Sequence, residues 1–414
     1  MRANFTFHDV GQGLFYSGKI GSFNFVYDCG SNSKGNYLKN AINNYLEKQQ
    51  NKIDWLILSH LDEDHTNGLE MLFSTNKNKE TTVFLPYFTP IERLIISITK
   101  TTKQASWWYQ FISDPVYYLL IVKNVKNVVI IGDQNLNNKL KEDYTCNSHN
   151  LNDFPDNNPL IDLIKKNENW EKYIKKNKVL IKNHKCIVYI KEWQFKFFNH
   201  DNHDKLSDFW NSINPIVNNN IIDAIKSKGI REKIRTVCYT KIYKSSTYIN
   251  QTSLMLYHAP IDYQGYIKIS CTKFGEELSQ IGSKNGQLLS GDISLSTYWT
   301  KILTHFKKEF LNVSFVQIPH HGSIANWSSN ILKDISAPHW INSASNKRKQ
   351  YPHKEIIDIL HKSQFNLHCC NELNSINIEF NYPLFLRALK LERVCFIKKI
   401  RKQDCDLCYC SIKK

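Results

Sequence analysis

Two imidazoles and three carboxylates fall within six residues at His60-Leu-Asp-Glu-Asp-His65. Imidazole nitrogen and carboxylate oxygen together form a coordination shell suited to Zn²⁺, Mn²⁺ or Fe, and a set this large could serve two ions at once. An acidic run behind a strand is more often a solvated turn, so the flanks decide. Upstream, Ile53, Trp55, Leu56, Ile57 and Leu58 read as a strand that stops at Ser59. Downstream, Leu69, Met71 and Leu72 begin a helix past Gly68. The hexamer therefore sits on a strand-to-helix crossover, where the loops of open α/β proteins line the ligand crevice. Alternation along an extended hexamer points His60, Asp62 and Asp64 one way, with His65 turning back beside them.

Three more islands repeat the same grammar of apolar strand, abrupt stop and metal-competent side chain. The stretch "FHDVGQGLFYSGKIGSFNFVYDCGS" reads as two or three short strands joined by glycine turns, with Asp28 closing one of them. Later, "NQTSLMLYH" and "QLLSGDIS" are strands flanked by polar residues, and Gly291-Asp292 follows Leu288-Leu289-Ser290 directly. The strand Val313 to Ile318 ends at Pro319 and a tandem His320-His321-Gly-Ser. A meander or a Gly-Asp turn is commonplace alone. Adjacent histidines at a strand end are seldom core packing, and a glycine beside them allows close approach to a metal.

Composition bounds what such a site belongs to. A chain of 414 residues, 42% hydrophobic and 13% aromatic, is globular and long enough for one large or two ordinary domains. Lysine and arginine outnumber the acids 54 to 38, a formal charge of +16, which favours an anionic partner. The same richness in Lys, Asn and Ile also arises from AT-rich coding bias. The start, Met1-Arg-Ala-Asn-Phe-Thr-Phe, lacks the apolar region of a signal peptide, and the best apolar run, Tyr117 to Val122, breaks at Lys123. The expectation is a soluble, cytoplasmic protein without a membrane span. Most of the 11 cysteines are then reduced, and isolated ones such as Cys29, Cys146, Cys186, Cys238 and Cys271 read as small hydrophobes. Cys395, Cys405, Cys408 and Cys410 could close a structural Zn²⁺ site, or simply belong to a basic tail over 381–414.

The ordered set His60-x-Asp62-x-Asp64-His65, Gly291-Asp292 and His320-His321-Gly-Ser resembles the metallo-β-lactamase superfamily. Within it, the chain is similar to the soluble hydrolase domain of the ComEC/Rec2 competence proteins. "HDVGQG" at 8–13 looks like that branch's opening turn, and Asp28 sits at its supporting aspartate. "NQTSLML" at 250–256 looks like its Asn-x-x-Ser-Leu strand, and "QYPHKEIIDIL" like its closing helix start. The superfamily at large has His where this chain has Asp62; the competence branch resembles this chain in carrying Asp. The likeness covers 1–85 and roughly 236–380.

The resemblance implies an α/β fold, the αββα sandwich of two mixed sheets flanked by helices, over residues 1–380, with a partly helical insertion at about 90–235. It implies a dinuclear hydrolase. Two divalent cations, Zn²⁺ or Mn²⁺, would be bridged by Asp292 and by a water whose lowered pKa makes it the nucleophile. His60 and Asp62 would hold one ion, with His200 as third ligand, backed by His203 and preferred over His184. Asp64 and His65 would hold the other with His320 or His321, the remaining histidine contacting the scissile group. Asp28 would orient a ligating histidine. The catalytic set is thus Asp64, Asp292, His320 and His321.

Basic charge and the competence-like motifs together favour phosphodiesters of DNA, RNA or a nucleotide as substrate. Trp107-Trp108-Tyr109 and Trp193 through Phe198 could stack bases, although such clusters are usually core. Inside the insertion, "ERLIISI", "PVYYLLIV" and "LIDLIKK" read as helices and "KCIVYI" and "WQFKFF" as strands. The insertion and the tail are candidate surfaces for a protein partner. Two readings of other classes use the same residues: a binding subunit of a multi-gene bacterial system, such as phage defence, and a metal-dependent peptidase or amide hydrolase.

Overall fold

The structure, a computed structural model, describes residues 2–74, 76–99, 105–132, 168–185, 187–200, 207–217, 220–237, 253–261, 265–271, 277–282 and 284–381. In chain order its strands begin with β1 (Arg2–Phe7), β2 (Gly13–Ile20), β3 (Phe23–Ser31), β4 (Trp55–Ile57), β5 (Thr82–Pro86), β6 (Asn127–Gly132), β7 (Val179–Asn183), β8 (Ile187–Ile190) and β9 (Trp193–Phe198). They continue with β10 (Met255–Pro260), β11 (Gly265–Cys271), β12 (Glu277–Gly282), β13 (Gly286–Leu289), β14 (Val313–Gln317), β15 (His339–Ser343), β16 (Asn366–Cys370) and β17 (Ile376–Asn381). One sheet has the order β12-β11-β17-β1-β2-β3-β4-β5-β6-β7, the other β16-β15-β14-β13-β10-β9-β8. Both are mixed: β3 to β7 pair in parallel, as do β13 to β16, while the remaining pairs are antiparallel.

The sheets face each other across one apolar layer. Phe5, Tyr16, Phe25 and Phe84 of the first meet Trp193, Phe195, Leu256 and Phe315 of the second. The outer face of the first sheet, Val26, Leu56, Val83 and Ile130, is covered by helices Tyr37–Lys48, Pro90–Thr99 and Ser106–Ser113. Tyr257, Leu288 and Val316 on the outer face of the second pack under helices Leu295–Phe306 and Lys354–Lys362. This is an α/β protein in the helix–sheet–sheet–helix order. It also explains why β4 reads as an unbroken apolar run: Trp55 and Ile57 face the other sheet while Leu56 faces the helices.

The segment expected as an insertion is woven into the sandwich. Its β6 and β7 extend the parallel half of the first sheet, and its β8 and β9 edge the second. "ERLIISI" lies in helix Pro90–Thr99, and "PVYYLLIV" forms the helical turn Pro115–Tyr117 followed by a π turn, Tyr118–Val122. "LIDLIKK", His203, Cys146, Cys186, Cys238 and the four tail cysteines lie outside the described residues. Cys29, Cys271, Cys369 and Cys370 are free thiols. No helix among the described residues is long and apolar enough to cross a membrane.

The extended alternation expected of the charged hexamer does not occur. Asp62 is extended, and a helical turn starts immediately after it at Glu63–Thr66. Carboxylates favour the positive end of a helix, so Asp62-Glu63-Asp64 starts a helix rather than prolonging a strand.

Candidate metal centre

Parallel pairing of β3 with β4 matches Tyr27 to Ile57, so Asp28, still within β3, comes out beside the residues that follow β4. Asp28 there is fully buried with φ +56°, a left-handed conformation that aspartate tolerates better than most residues. Its Oδ1 accepts the Ser59 backbone N–H at 2.7 Å, and its Oδ2 accepts the Ser59 hydroxyl at 2.6 Å. The same Oδ2 takes His65 Nδ1 at 2.8 Å. This bond puts the His65 proton on Nδ1 and leaves Nε2 as a lone pair. Because Ser59 spends its proton on Asp28, its oxygen is left to accept from His60 Nδ1 at 2.8 Å. One buried carboxylate thus sets the tautomer of both histidines, directly in one case and through a hydroxyl in the other.

Both freed nitrogens face Asp292, which follows β13 and is 3% exposed. His65 Nε2 lies 3.4 Å from Oδ1, His60 Nε2 3.7 Å from Oδ2 and His320 Nε2 3.9 Å from Oδ2. These separations exceed a hydrogen bond. They match donors sharing one cation, since bonds of about 2.0–2.2 Å in a tetrahedral shell place ligand atoms roughly 3.4 Å apart. His60 Nε2, His65 Nε2 and Asp292 Oδ1 are buried without a hydrogen-bond partner. Polar atoms abandoned in this way are costly unless something else satisfies them. The residues therefore fit a cation: His60, His65 and Asp292 form one candidate group, and Asp64, His65 and His321 a second that shares His65.

The second group is aimed by its own supports. His320, His321 and Gly322 have φ of +47°, +57° and +86°, which folds the tandem back over the strand end. His321 Nδ1 donates to the Ser343 carbonyl at 2.7 Å, leaving Nε2 3.2 Å from Asp64 Oδ2. Asp292 is held by its backbone, its N–H donating to Ser253 Oγ at 3.1 Å and its carbonyl accepting from Asn326 Nδ2 at 3.1 Å. Gly291 permits this approach. A Cβ there would stand 2.8 Å from Ser59 Cβ, at φ +55°.

Charges follow the geometry. Burial opposes ionisation of Asp292, but His320, His65 and His60 around it hold its pKa well below the ordinary value. Burial likewise opposes charge on His65, and Asp292 and Asp28 overcome it, raising its pKa well above 6.5, so that without a cation Nε2 takes a second proton, which a bound cation would displace. On His321 burial is outweighed by the hydrogen bond it donates to Asp64 and by the charge of Asp292, and the pKa rises. His60 goes the other way, lowered by burial and by His65 beside it. The site is anionic at its centre and retains a neutral imidazole.

Of the residues singled out from sequence, the structure brings together Asp28, His60, Asp64, His65, Asp292, His320 and His321. It leaves Asp62 outside both groups, at the start of the helical turn. His200 also lies outside them. It follows β9, with Nε2 3.3 Å from Lys301 Nζ and its ring 4.4 Å from Tyr298. His184 bonds the Asn199 carbonyl at 2.8 Å and packs on Phe198. The aromatic runs are mainly core, with Trp108 and Trp193 1% and 0% exposed. Sequence reasoning missed Ser59, Ser253 and Ser343. The one signal was a hydroxyl residue at or beside each strand end.

The metallo-beta-lactamase superfamily model matches residues 15–83, which run from β2 through the His60–His65 loop into β5. The fold is the metallo-β-lactamase fold. Among solved structures, the metallo-beta-lactamase fold protein YhfI from Bacillus subtilis is similar at 11% identity and a TM-score of 0.35, covering 90% of this chain and 98% of that one. A diphosphatase from the PhnP family gives 10% identity, a TM-score of 0.33 and coverage of 92% and 98%. A long form RNase Z from yeast gives 11% and 0.27, with 76% of this chain matched to 32% of that one. No curated protein matches.

Proposed function

We propose that the protein is a dinuclear metal-dependent hydrolase that cleaves phosphodiester bonds of nucleic acid or nucleotides in a reducing, cytoplasmic setting. The observation that carries the reading is Asp292, buried and ionised among three imidazoles with an unsatisfied oxygen, beside the Asp64, His65 and His321 group. Two divalent cations held there would supply an activated water and neutralise charge on the scissile group. The single His65 Nε2 lone pair can serve only one of them: His60, His65 and Asp292 would hold that ion, and Asp64 and His321 would hold the other.

The chain's own contribution is orientation and proton placement. Asp28 and Ser59 keep the proton of each loop histidine on Nδ1, so that both Nε2 atoms present lone pairs. Ser343 does the same for His321. His320 is the exposed member of the tandem, its side chain 32% accessible, and is placed to meet substrate at the rim. Phosphodiesters are favoured over amides by the +16 charge and by the likeness of the motif order to the soluble competence hydrolases. Free Cys29, Cys271, Cys369 and Cys370 support a reducing compartment.

The test is elemental analysis coupled to hydrolysis of bis-p-nitrophenyl phosphate with added Mn²⁺ or Zn²⁺, wild type beside Asp292→Ala. Two metals per chain and turnover lost in the variant are expected. Turnover retained by Asp292→Ala would end the reading.

A further inference from the structure

At the end of the first sheet opposite the metal centre, three large apolar side chains stand in solvent within six residues. Tyr117, Ile121 and Val122 are 48%, 52% and 50% exposed. Ile121 and Val122 belong to the π turn Tyr118–Val122, an irregularity of the kind that recurs at functional positions. Beside them opens a groove of about 340 Å³, lined by Leu120, Ile121 and Val125 together with Lys172, Lys176 and Lys178.

The lysines of this region divide in two. Those around the groove are neutralised: Lys123 pairs with Glu70, Lys126 with Glu80 at 3.3 Å, and Lys175 with Glu171 at 2.9 Å. Those lining it are not. Among the described residues no carboxylate lies within ion-pair distance of Lys172, Lys176 or Lys178. Lys172 instead lies 4.8 Å over the Tyr173 ring, and Lys178 donates to the Lys126 carbonyl at 3.1 Å. Ile121 stands exposed over the buried Leu120 and Val125, and exposed apolar side chains rimmed by charge fit an interaction site.

We propose that this groove docks an acidic, aliphatic segment of a partner protein, its branched side chains against Leu120, Ile121 and Val125 and its carboxylates on Lys172, Lys176 and Lys178. Position separates it from the metal centre. Val125 and Lys178 precede β6 and β7, whereas the His60–His65 loop follows the opposite end of the parallel strands, and β6 alone, at 6 residues, spans about 20 Å. Chemistry separates it from a nucleic-acid track, which needs exposed aromatic faces for the bases. The apolar side chains lining the groove are aliphatic, the aromatic in its lining, Tyr173, is buried, and the exposed Tyr117 lies outside that lining.

The test uses the full chain and a fluorescein-labelled twelve-residue peptide of glutamate and leucine. Its companions are one with serine for each leucine, one with lysine for each glutamate, and a twelve-nucleotide oligothymidine. Saturable binding of the Glu/Leu peptide is expected, weakened tenfold or more by Lys172→Glu with Lys176→Glu and by Ile121→Asp. The charge-reversed protein should gain affinity for the Lys/Leu peptide, which a merely unfolded variant could not do. Hydrolysis at the metal centre should be unchanged in both variants. Any of three results overturns the proposal: no saturable binding, equal binding of the serine peptide, or oligothymidine binding tighter than the peptide's and lost in the same variants.

Discussion

Replacing Asp28 by Asn tests whether a single buried carboxylate arms the metal centre. The aspartate accepts three hydrogen bonds, one on Oδ1 and two on Oδ2. Asparagine keeps one acceptor and puts an NH₂ donor in the other place. With its oxygen on the Ser59 N–H, its amide nitrogen faces the Ser59 hydroxyl and His65 Nδ1. The hydroxyl can rotate to accept; the imidazole can accept only by moving its proton to Nε2, which removes the lone pair aimed at Asp292. Losing such a support behind a metal ligand lowers affinity by about 10–100-fold, or about 1.4–2.7 kcal/mol. The rotated Ser59 oxygen keeps a second lone pair for His60 Nδ1, so the effect falls on His65 and a loss of about tenfold is expected. Isothermal titration with Mn²⁺ and Zn²⁺ reads this directly, with thermal melting of the metal-free protein as control for folding. Affinity within twofold of wild type would refute the reasoning.

Three further outcomes follow from the same geometry. Gly291→Ala should cost about 1–3 kcal/mol in urea unfolding, since the new Cβ meets Ser59 at 2.8 Å in a left-handed conformation; an unchanged midpoint would show that the loop relaxes freely. Burial holds His258 at about 3, and its Nδ1 accepts from Trp193 Nε1 at 3.1 Å, leaving no lone pair for a proton. The unfolded chain therefore binds the proton first as pH falls, and stability present above 6.5 drops toward pH 3 by up to roughly 5 kcal/mol. Urea midpoints from pH 7 to 4 should decline, and less steeply in His258→Gln; equal slopes would count against it. Burial raises Glu168 to about 7 despite Arg93 2.7 Å away. Its folded form holds the proton better than the unfolded one, so this contribution is full below 4.5 and lost by about pH 7. Glu168→Gln should remove that dependence, and a variant with the wild-type slope would exclude Glu168 as its source.

The residues with chemistry in their side chains were legible because each follows an apolar run, although β3 continues past Asp28 to Ser31 rather than stopping at it. Asp292 and the 320–321 tandem lie more than 200 residues after Asp28, yet each follows an apolar run, and parallel strands bring them to one rim. The supporting hydroxyls were not legible, because Ser59, Ser253 and Ser343 matter only through which strand lies next to which. Strands β6 to β9 read as parts of an insertion for the same reason. Although β8 and β9 pair with each other as neighbours, the strands that tie them and β6 and β7 to the sheets lie across long connections, and Val128–Ile131 between Asn- and Lys-rich stretches carries no mark of its neighbour. Asp62 was misplaced because strand alternation was extended into residues whose charges favour a helix start.

This division between what is legible and what is not has a physical consequence for the site. The ligands come from both sheets, His60, Asp64 and His65 from a loop of the first, Asp292 and His321 from strand ends of the second. Their relative placement is therefore set by the packing between sheets. Two contacts fasten the sheets at the rim itself: the Tyr27 hydroxyl donates to the Leu254 carbonyl at 2.8 Å, and Leu254 N donates to the Ser59 carbonyl at 2.7 Å. Both bonds reach the residue beside Ser253, whose hydroxyl accepts from the Asp292 N–H. A shift of β10 against β4 would then move Asp292 relative to His60 and His65 together. The orphaned nitrogens stay aimed at one carboxylate only while that register holds, so the metal centre is a property of the closed sandwich rather than of the His60–His65 loop.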